Sequence, residues 1–200
     1  MKEILIGTHN RHKAKEISDL LADLSIKIRT LNDFPTIPPT VEDGETLEEN
    51  ALKKAREYST KSGLFTLADD TGLEVKALNG APGVYSARFA GEDCGYLDNN
   101  KKLLELLSQK KDRSASFRCV VACVDVVAGF ERIVEGKVEG SITEEMKGTN
   151  GFGYDPVFYL PLLKKTLAEI TLDEKNKVSH RALAIQKAKE IINLCHDHAY

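Results

Sequence analysis

Residues 116–127, SFRCVVACVDVV, form the longest apolar strand candidate in the chain. A hydrophobic run this continuous belongs to a strand covered on both faces, so it sits centrally in a sheet. Phe130 to Glu139 can pair with it, giving one long antiparallel-looking stretch. Upstream, Leu64 to Ala68 is a shorter apolar run that ends at Asp69 and Asp70. Thr71-Gly72 then reads as a turn before the alternating segment Leu73 to Leu78.

Around these strands the periodicity switches to helical. Glu3 to Ile6 is an apolar strand stopping at Gly7, Ala14 to Leu24 carries apolar residues at helical spacing, and Lys27 to Leu31 can return as a strand. The segment FPTIPPT, residues 34–40, holds three prolines and cannot be regular structure. Leu47 to Ser62 then reads as a helix with an exposed Lys and Glu face. Asp98 to Leu107 is helical after the loops NGAPG and GEDCG, and GTNGFGYDP is a glycine-rich loop. Thr171 with Glu174 fits a capping box ahead of a final helix, Ser179 to Leu194. Strands alternating with helices, together with the antiparallel stretch, predict a mixed α/β sheet flanked by helices, as a single domain over residues 1–200.

Composition narrows the function classes. With 42% hydrophobic residues the 200-residue chain can bury a sizeable core, and a net charge of -3 lacks the basic footprint of a nucleic-acid binder. The N-terminal apolar run is too short for a signal peptide or membrane span, so a cytoplasmic protein without membrane partners is expected. Cys94, Cys119, Cys123 and Cys195 form no CxxC pair. Cys119 and Cys123 share one strand face and read as buried reduced thiols. A zinc site built from cysteines with His196 and His198 has the wrong spacing for a finger.

Five groups of residues could carry chemistry. Thr8, Asn10 and Lys13 in GTHNRHK lie between a strand and a helix start, where free N–H groups favour an anion, although the pattern is not a Walker loop. Asp69 and Asp70 would face opposite sides of a strand and so have different roles; the alternative is a capped turn with one solvated acid. Among Glu42, Asp43, Glu45, Glu48 and Glu49 most are ordinary acids of a helix start, but Glu42 lies outside the helix and suits a hard cation. Phe152 in GTNGFGYDP offers a stacking face, or else a core aromatic of a tight turn. Lys175 with Ser179, His180 and Arg181 gathers donors at a helix start, where a surface pair is the ordinary alternative.

Taken together, T-H-N-x-x-K, E-x-G before E-N-A, L-A-D-D-T-G-L, G-A-P-G-V-Y-S-A-R, G-F-G-Y-D-P and S-H-R-A resemble the inosine triphosphate pyrophosphatase family, in that family's order from Thr8 to Arg181. The resemblance implies a homodimer whose mixed, bent β-sheet is flanked by helices in two lobes with a central nucleotide cleft. It implies hydrolysis of ITP, dITP, XTP and dXTP to the monophosphate and pyrophosphate. By position, Glu42 and Asp70 would hold Mg2+ and Asp70 would accept the proton, with Asp69 as a possible accessory. His9, Arg11 and His12 fall in the triphosphate loop with Thr8, Asn10 and Lys13, Lys54 would face the phosphates, and Thr71 would touch the nucleotide. Phe152, Gly153, Tyr154, Asp155, Lys175, His180 and Arg181 would form the base and sugar pocket. His9 and Asn150 stand where glycine is frequent in that family, and a solvent-facing His9 ring is expected. Selectivity would rest on the 6-oxygen of the base, met by Arg181 or a backbone N–H. Two other readings remain: a pyrophosphatase for pyrimidine or modified nucleotides, and a nucleotide-binding module that does not cleave.

Overall fold

A computed structural model of the protein describes residues 3–197, with side chains as far as Cys195, so His198 and the His196 ring of the zinc alternative lie outside the described residues. The strands are β1 (Glu3–Ile6), β2 (Lys27–Thr30), β3 (Phe65–Val75), β4 (Pro82–Gly83), β5 (Ser114–Asp125), β6 (Phe130–Ile142), β7 (Phe158–Leu160) and β8 (Lys165–Thr166). They form an eight-stranded sheet in the order β2-β1-β3-β5-β6-β7-β8, with β4 on β3. β1 runs parallel to β2 and to β3, whereas β6, β7 and β8 pair antiparallel. The sheet is therefore mixed, as the sequence predicts.

The helices are α1 (Arg11–Leu21), α2 (Leu47–Ser62), α3 (Tyr96–Leu106), α4 (Leu172–Val178) and α5 (His180–Asp197). The span of α2 is the one read from sequence. Its N-cap Thr46 accepts from the Glu49 N–H, and Glu49 returns a bond to the Thr46 N–H. α1 starts three residues before the expected Ala14, because Asn10 caps it by accepting from the N–H groups of His12 and Lys13. The capping box at Thr171 opens a separate short helix, α4, rather than leading into the final one, and the extended Ser179 divides the two.

The expected turn at Thr71-Gly72 is a correction: β3 runs unbroken through both residues. Pairing with β1 ahead of these residues and with β4 just after them keeps the chain extended between, and this long-range pairing outweighs a local turn preference.

The chain folds as two compact units joined through β3, β5 and β6. The first takes in the chain up to Asp70, Cys119–Gly136 and the chain from Arg181 onward. Its sheet is covered on both faces. Ile4, Ile6, Leu67, Cys119, Val121 and Cys123 pack against Ile17 and Leu21 of α1 and Ala184, Ile185, Ala188 and Ile192 of α5. Leu5, pointing the other way from β1, packs with Leu31, Ile37 and Tyr58. Burial, with Cys195 adding to it, pushes the Cys123 thiol up to about 12, so this thiol stays protonated and inert, as expected of a core cysteine.

The second unit, Thr71–Arg118 and Lys137–His180, has its own core of Leu73, Val75, Leu103, Phe117, Ile142, Phe158 and Leu167 among others.

Candidate active site

In the first unit the strand alternation of β3 sends its two adjacent acids to opposite faces. Asp69 is 1% exposed and lies on the side of α1 and α5. Its Oδ2 is 3.0 Å from Lys13 Nζ and 3.3 Å from an Arg181 terminal nitrogen, with the Arg181 Nε–H also directed at it. Arg181, itself 1% exposed, uses its other terminal nitrogen to donate to Glu16, a buried acid of α1. Burial alone would raise the Asp69 carboxyl, but Lys13, Arg181 and Lys54 outweigh it and hold the group far below the ordinary carboxylate range. Arg181 is held fully cationic by Asp69 and Glu16 despite its own burial.

Asp70 faces α2. Its Oδ1 is 3.3 Å from Lys54 Nζ, and its Oδ2 accepts from Asn50 Nδ2 at 3.2 Å. Lys54 Nζ also donates to Glu42 Oε1 at 3.0 Å, so one ammonium bridges the acid of the loop and the acid of the strand. Burial raises the Asp70 pKa, with Glu42 and Asp69 adding to it, and the opposing Lys54 and Lys13 do not cancel these effects. Burial would lower the Lys54 pKa, yet Asp70, Glu42 and Asp69 together raise it.

Two carboxylates that already share one cation suit a hard divalent ion, which takes oxygen ligands and keeps waters or substrate phosphates for its remaining positions. No group of three or more His, Cys, Asp or Glu able to hold a metal occurs among the described residues.

The loop ahead of α1 brings Thr8 and Asn10 to the same helix start as Lys13, with the Asn10 N–H donating to Thr8 Oγ1 at 3.2 Å. His9 is solvent-exposed, its ring edge-on to Tyr58 at 6.0 Å; Arg11 and His12 are exposed on the first turn. The other acids of the early loop behave as ordinary surface groups. Asp43 pairs with Lys53 at 2.5 Å and Glu49 caps α2.

In the second unit, Thr71 is half-buried on β3. The 151–155 loop folds around Asp155, which is 2% exposed and accepts from the Phe152 N–H at 2.9 Å and from Lys175 Nζ at 2.5 Å. A Cβ at Gly151, whose φ is +73°, would lie 2.0 Å from Asp155 Oδ2, so glycine is required there. The Lys175 ammonium sits 4.7 Å from the centre of the Phe152 ring, and Asn100 Nδ2 donates to the Gly153 carbonyl at 2.8 Å. Tyr154 is a core residue whose hydroxyl donates to the Ser86 carbonyl at 2.9 Å. His180, 3% exposed, stacks on Phe117 at 4.4 Å.

Two residues of the first unit escape a sequence reading, Glu16 and Asn50. Each is a polar residue within an amphipathic helix, and nothing local announces its partner. Only the E-N-A motif, read together with E-x-G, hints at Asn50.

On a mixed α/β sheet the first unit thus gathers four carboxylates around Lys13, Lys54 and Arg181, a cluster suited to a divalent ion and the charged groups such an ion binds. The chain belongs to the Ham1 family, whose profile matches residues 4–191. It is 50% identical to a protein of Thermoanaerobacter pseudethanolicus named dITP/XTP pyrophosphatase, covering 95% of this chain and 96% of that one. A Bacillus licheniformis protein of the same name is 47% identical over 96% of this chain and 99% of its own. Among solved structures, a HAM1 protein from Coxiella burnetii superposes with a TM-score of 0.88 at 42% identity, covering 96% of this chain and 99% of that one.

Proposed function

We propose that the protein hydrolyses ITP, dITP, XTP and dXTP between the α and β phosphates, releasing the monophosphate and pyrophosphate and so removing non-standard purines from the nucleotide pool. The observation that carries this reading is the pair of opposed acids, Asp69 tied to Lys13 and Arg181, and Asp70 tied to Lys54 and Asn50. The names of its relatives among dITP/XTP pyrophosphatases support the substrate class.

Lys13 and the Thr8 hydroxyl bind the triphosphate at the start of α1, with Asn10, His9, Arg11 and His12 shaping that loop. Asp70, with a neutral donor on one oxygen and its other oxygen toward Lys54, takes the proton of the attacking water. Lys54 faces the phosphates and offsets their charge. Glu42 and Asp70 hold Mg2+, which when bound supplies charge neutralisation on phosphate oxygens and a more acidic water. Phe152 stacks on the purine, while Gly153, Tyr154, Asp155, Lys175, His180 and Thr71 shape the base and sugar site. Arg181 already donates through Nε and both terminal nitrogens to carboxylates. We therefore give recognition of the base 6-oxygen to a backbone N–H of the 151–155 loop. The working enzyme is a cytoplasmic homodimer.

A panel of ITP, dITP, XTP, GTP, ATP and dTTP, with and without Mg2+ and scored for monophosphate and pyrophosphate, tests the reading. Metal-dependent pyrophosphate release from ITP, dITP and XTP, with ATP poorer by about 100-fold or more, is expected. Equal turnover of ATP and ITP sinks the base-recognition part, and binding without release points to a non-cleaving module.

A further inference from the structure

Asn50 is 1% exposed and uses both ends of its amide. Oδ1 accepts from the backbone N–H of Gly44 at 2.8 Å, and Nδ2 donates to Asp70 Oδ2 at 3.2 Å. The orientation of the amide follows from its partners: a backbone N–H can only donate, and a carboxylate can only accept. One neutral side chain thus spans from the loop that carries Glu42 to the strand that carries Asp70.

Gly44 is fitted to this contact. A Cβ there would lie 2.7 Å from Asn50 Oδ1 and 2.8 Å from Glu49 Cβ, so any larger residue would push the amide or the helix start away. The E-x-G and E-N-A motifs are therefore two halves of one device: Glu42 is the acid, Gly44 gives the approach, and Asn50 makes the tie.

One helical turn beyond Asn50, Lys54 holds the other Asp70 oxygen and Glu42 as well. The two α2 side chains divide the work. Lys54 contacts both acids through charge and so competes with any cation placed between them. Asn50 fixes Asp70 without charge and does not compete. An aspartate at this position would set a like charge against Asp70, and an alanine would leave the Gly44 N–H and Asp70 Oδ2 without these partners.

We propose that Asn50 is a positioning residue that sets the separation and orientation of Glu42 and Asp70 for a divalent cation. This rests on the reading of those two acids as the metal-holding pair.

The test measures Mn2+ binding to the nucleotide-free protein by electron paramagnetic resonance, alongside ITP kinetics and urea unfolding, for N50A, G44A and D70N. Asn50→Ala is expected to weaken Mn2+ binding about 10- to 100-fold and to lower kcat while KM for ITP changes little. Gly44→Ala, which displaces the amide while keeping the α2 sequence, is expected to give the same signature and decides the matter if Asn50→Ala fails to fold. Folded N50A and G44A proteins that bind Mn2+ within about twofold of the parent, while D70N loses it, overturn the role of Asn50 alone. Unchanged Mn2+ binding in D70N overturns the underlying reading of Asp70.

Discussion

The two faces of β3 at residues 69 and 70 carry the same side chain in opposite electrostatic settings. On the α1 and α5 side, Asp69 meets Lys13 and Arg181, and Glu16 balances the arginine from behind. On the α2 side, Asp70 has one close ammonium, which it shares with Glu42, and a neutral amide. The first acid is held below the usual carboxylate range and the second is raised from its ordinary value. Burial of both thus gives one acid whose charge holds the fold together and another whose charge is held at a cost, where it can accept a proton or a cation.

Three variants would break or sharpen this contrast, taken from the largest effect to the smallest. Asp70→Asn keeps the shape and removes the charge, and pyrophosphate release is expected to fall by about 10²- to 10⁴-fold while the metal-free protein unfolds at no lower urea concentration than the parent. Retained turnover would erase the functional difference between the two faces. Asp69→Asn strips the shared counter-charge from Lys13 and Arg181. A loss of about 3–5 kcal/mol in urea unfolding is expected, as for any buried ion pair deprived of one partner.

The pH dependence of those two variants follows from the directions of their shifts. Asp69 is lowered in the folded state, so its stabilisation is complete above the ordinary value of 3.8 and is lost as pH falls through the folded value. Asp70 is raised, so its ionisation opposes folding: its contribution is most favourable below 3.8 and declines as pH rises through the folded value. Urea midpoints at about pH 3 and pH 7 are therefore expected to show the Asp69→Asn deficit shrinking at low pH, and any Asp70→Asn gain appearing only at neutral pH. Parallel behaviour of the two variants would contradict the contrast. The smallest effect belongs to the exposed Arg56–Glu131 pair at 2.6 Å, where Arg56→Gln is expected to cost less than about 1 kcal/mol in the same measurement.

Sequence patterns were informative where the cause is local. The ends of α2 lie between a proline-rich loop and Gly63, and the long apolar run is a covered strand as far as Asp125, with Val126 and Val127 beyond it in an exposed turn. They misled where partners distant in sequence decide the outcome. Thr71-Gly72 reads as a turn, yet pairing with β1 ahead of it and with β4 after it draws it into β3. The short α4 is hidden because its capping box and the start of α5 merge into one signal. The side-chain network is the least legible. Alternation placed Asp69 and Asp70 on opposite faces, but not the identity of what awaits each. Glu16 looks like any acid of a surface helix until Arg181, 165 residues further along, folds onto it.

The bridge from Lys54 to Glu42 and Asp70 has a consequence for how the protein rests between turnovers. The site carries a tethered counter-ion of its own, so a divalent ion held by Glu42 and Asp70, as proposed above, would exchange places with a charge already present rather than rescue two bare acids. Metal chelation is then expected to silence the enzyme and leave its fold intact, unlike the collapse of a protein whose structure is nucleated by its metal.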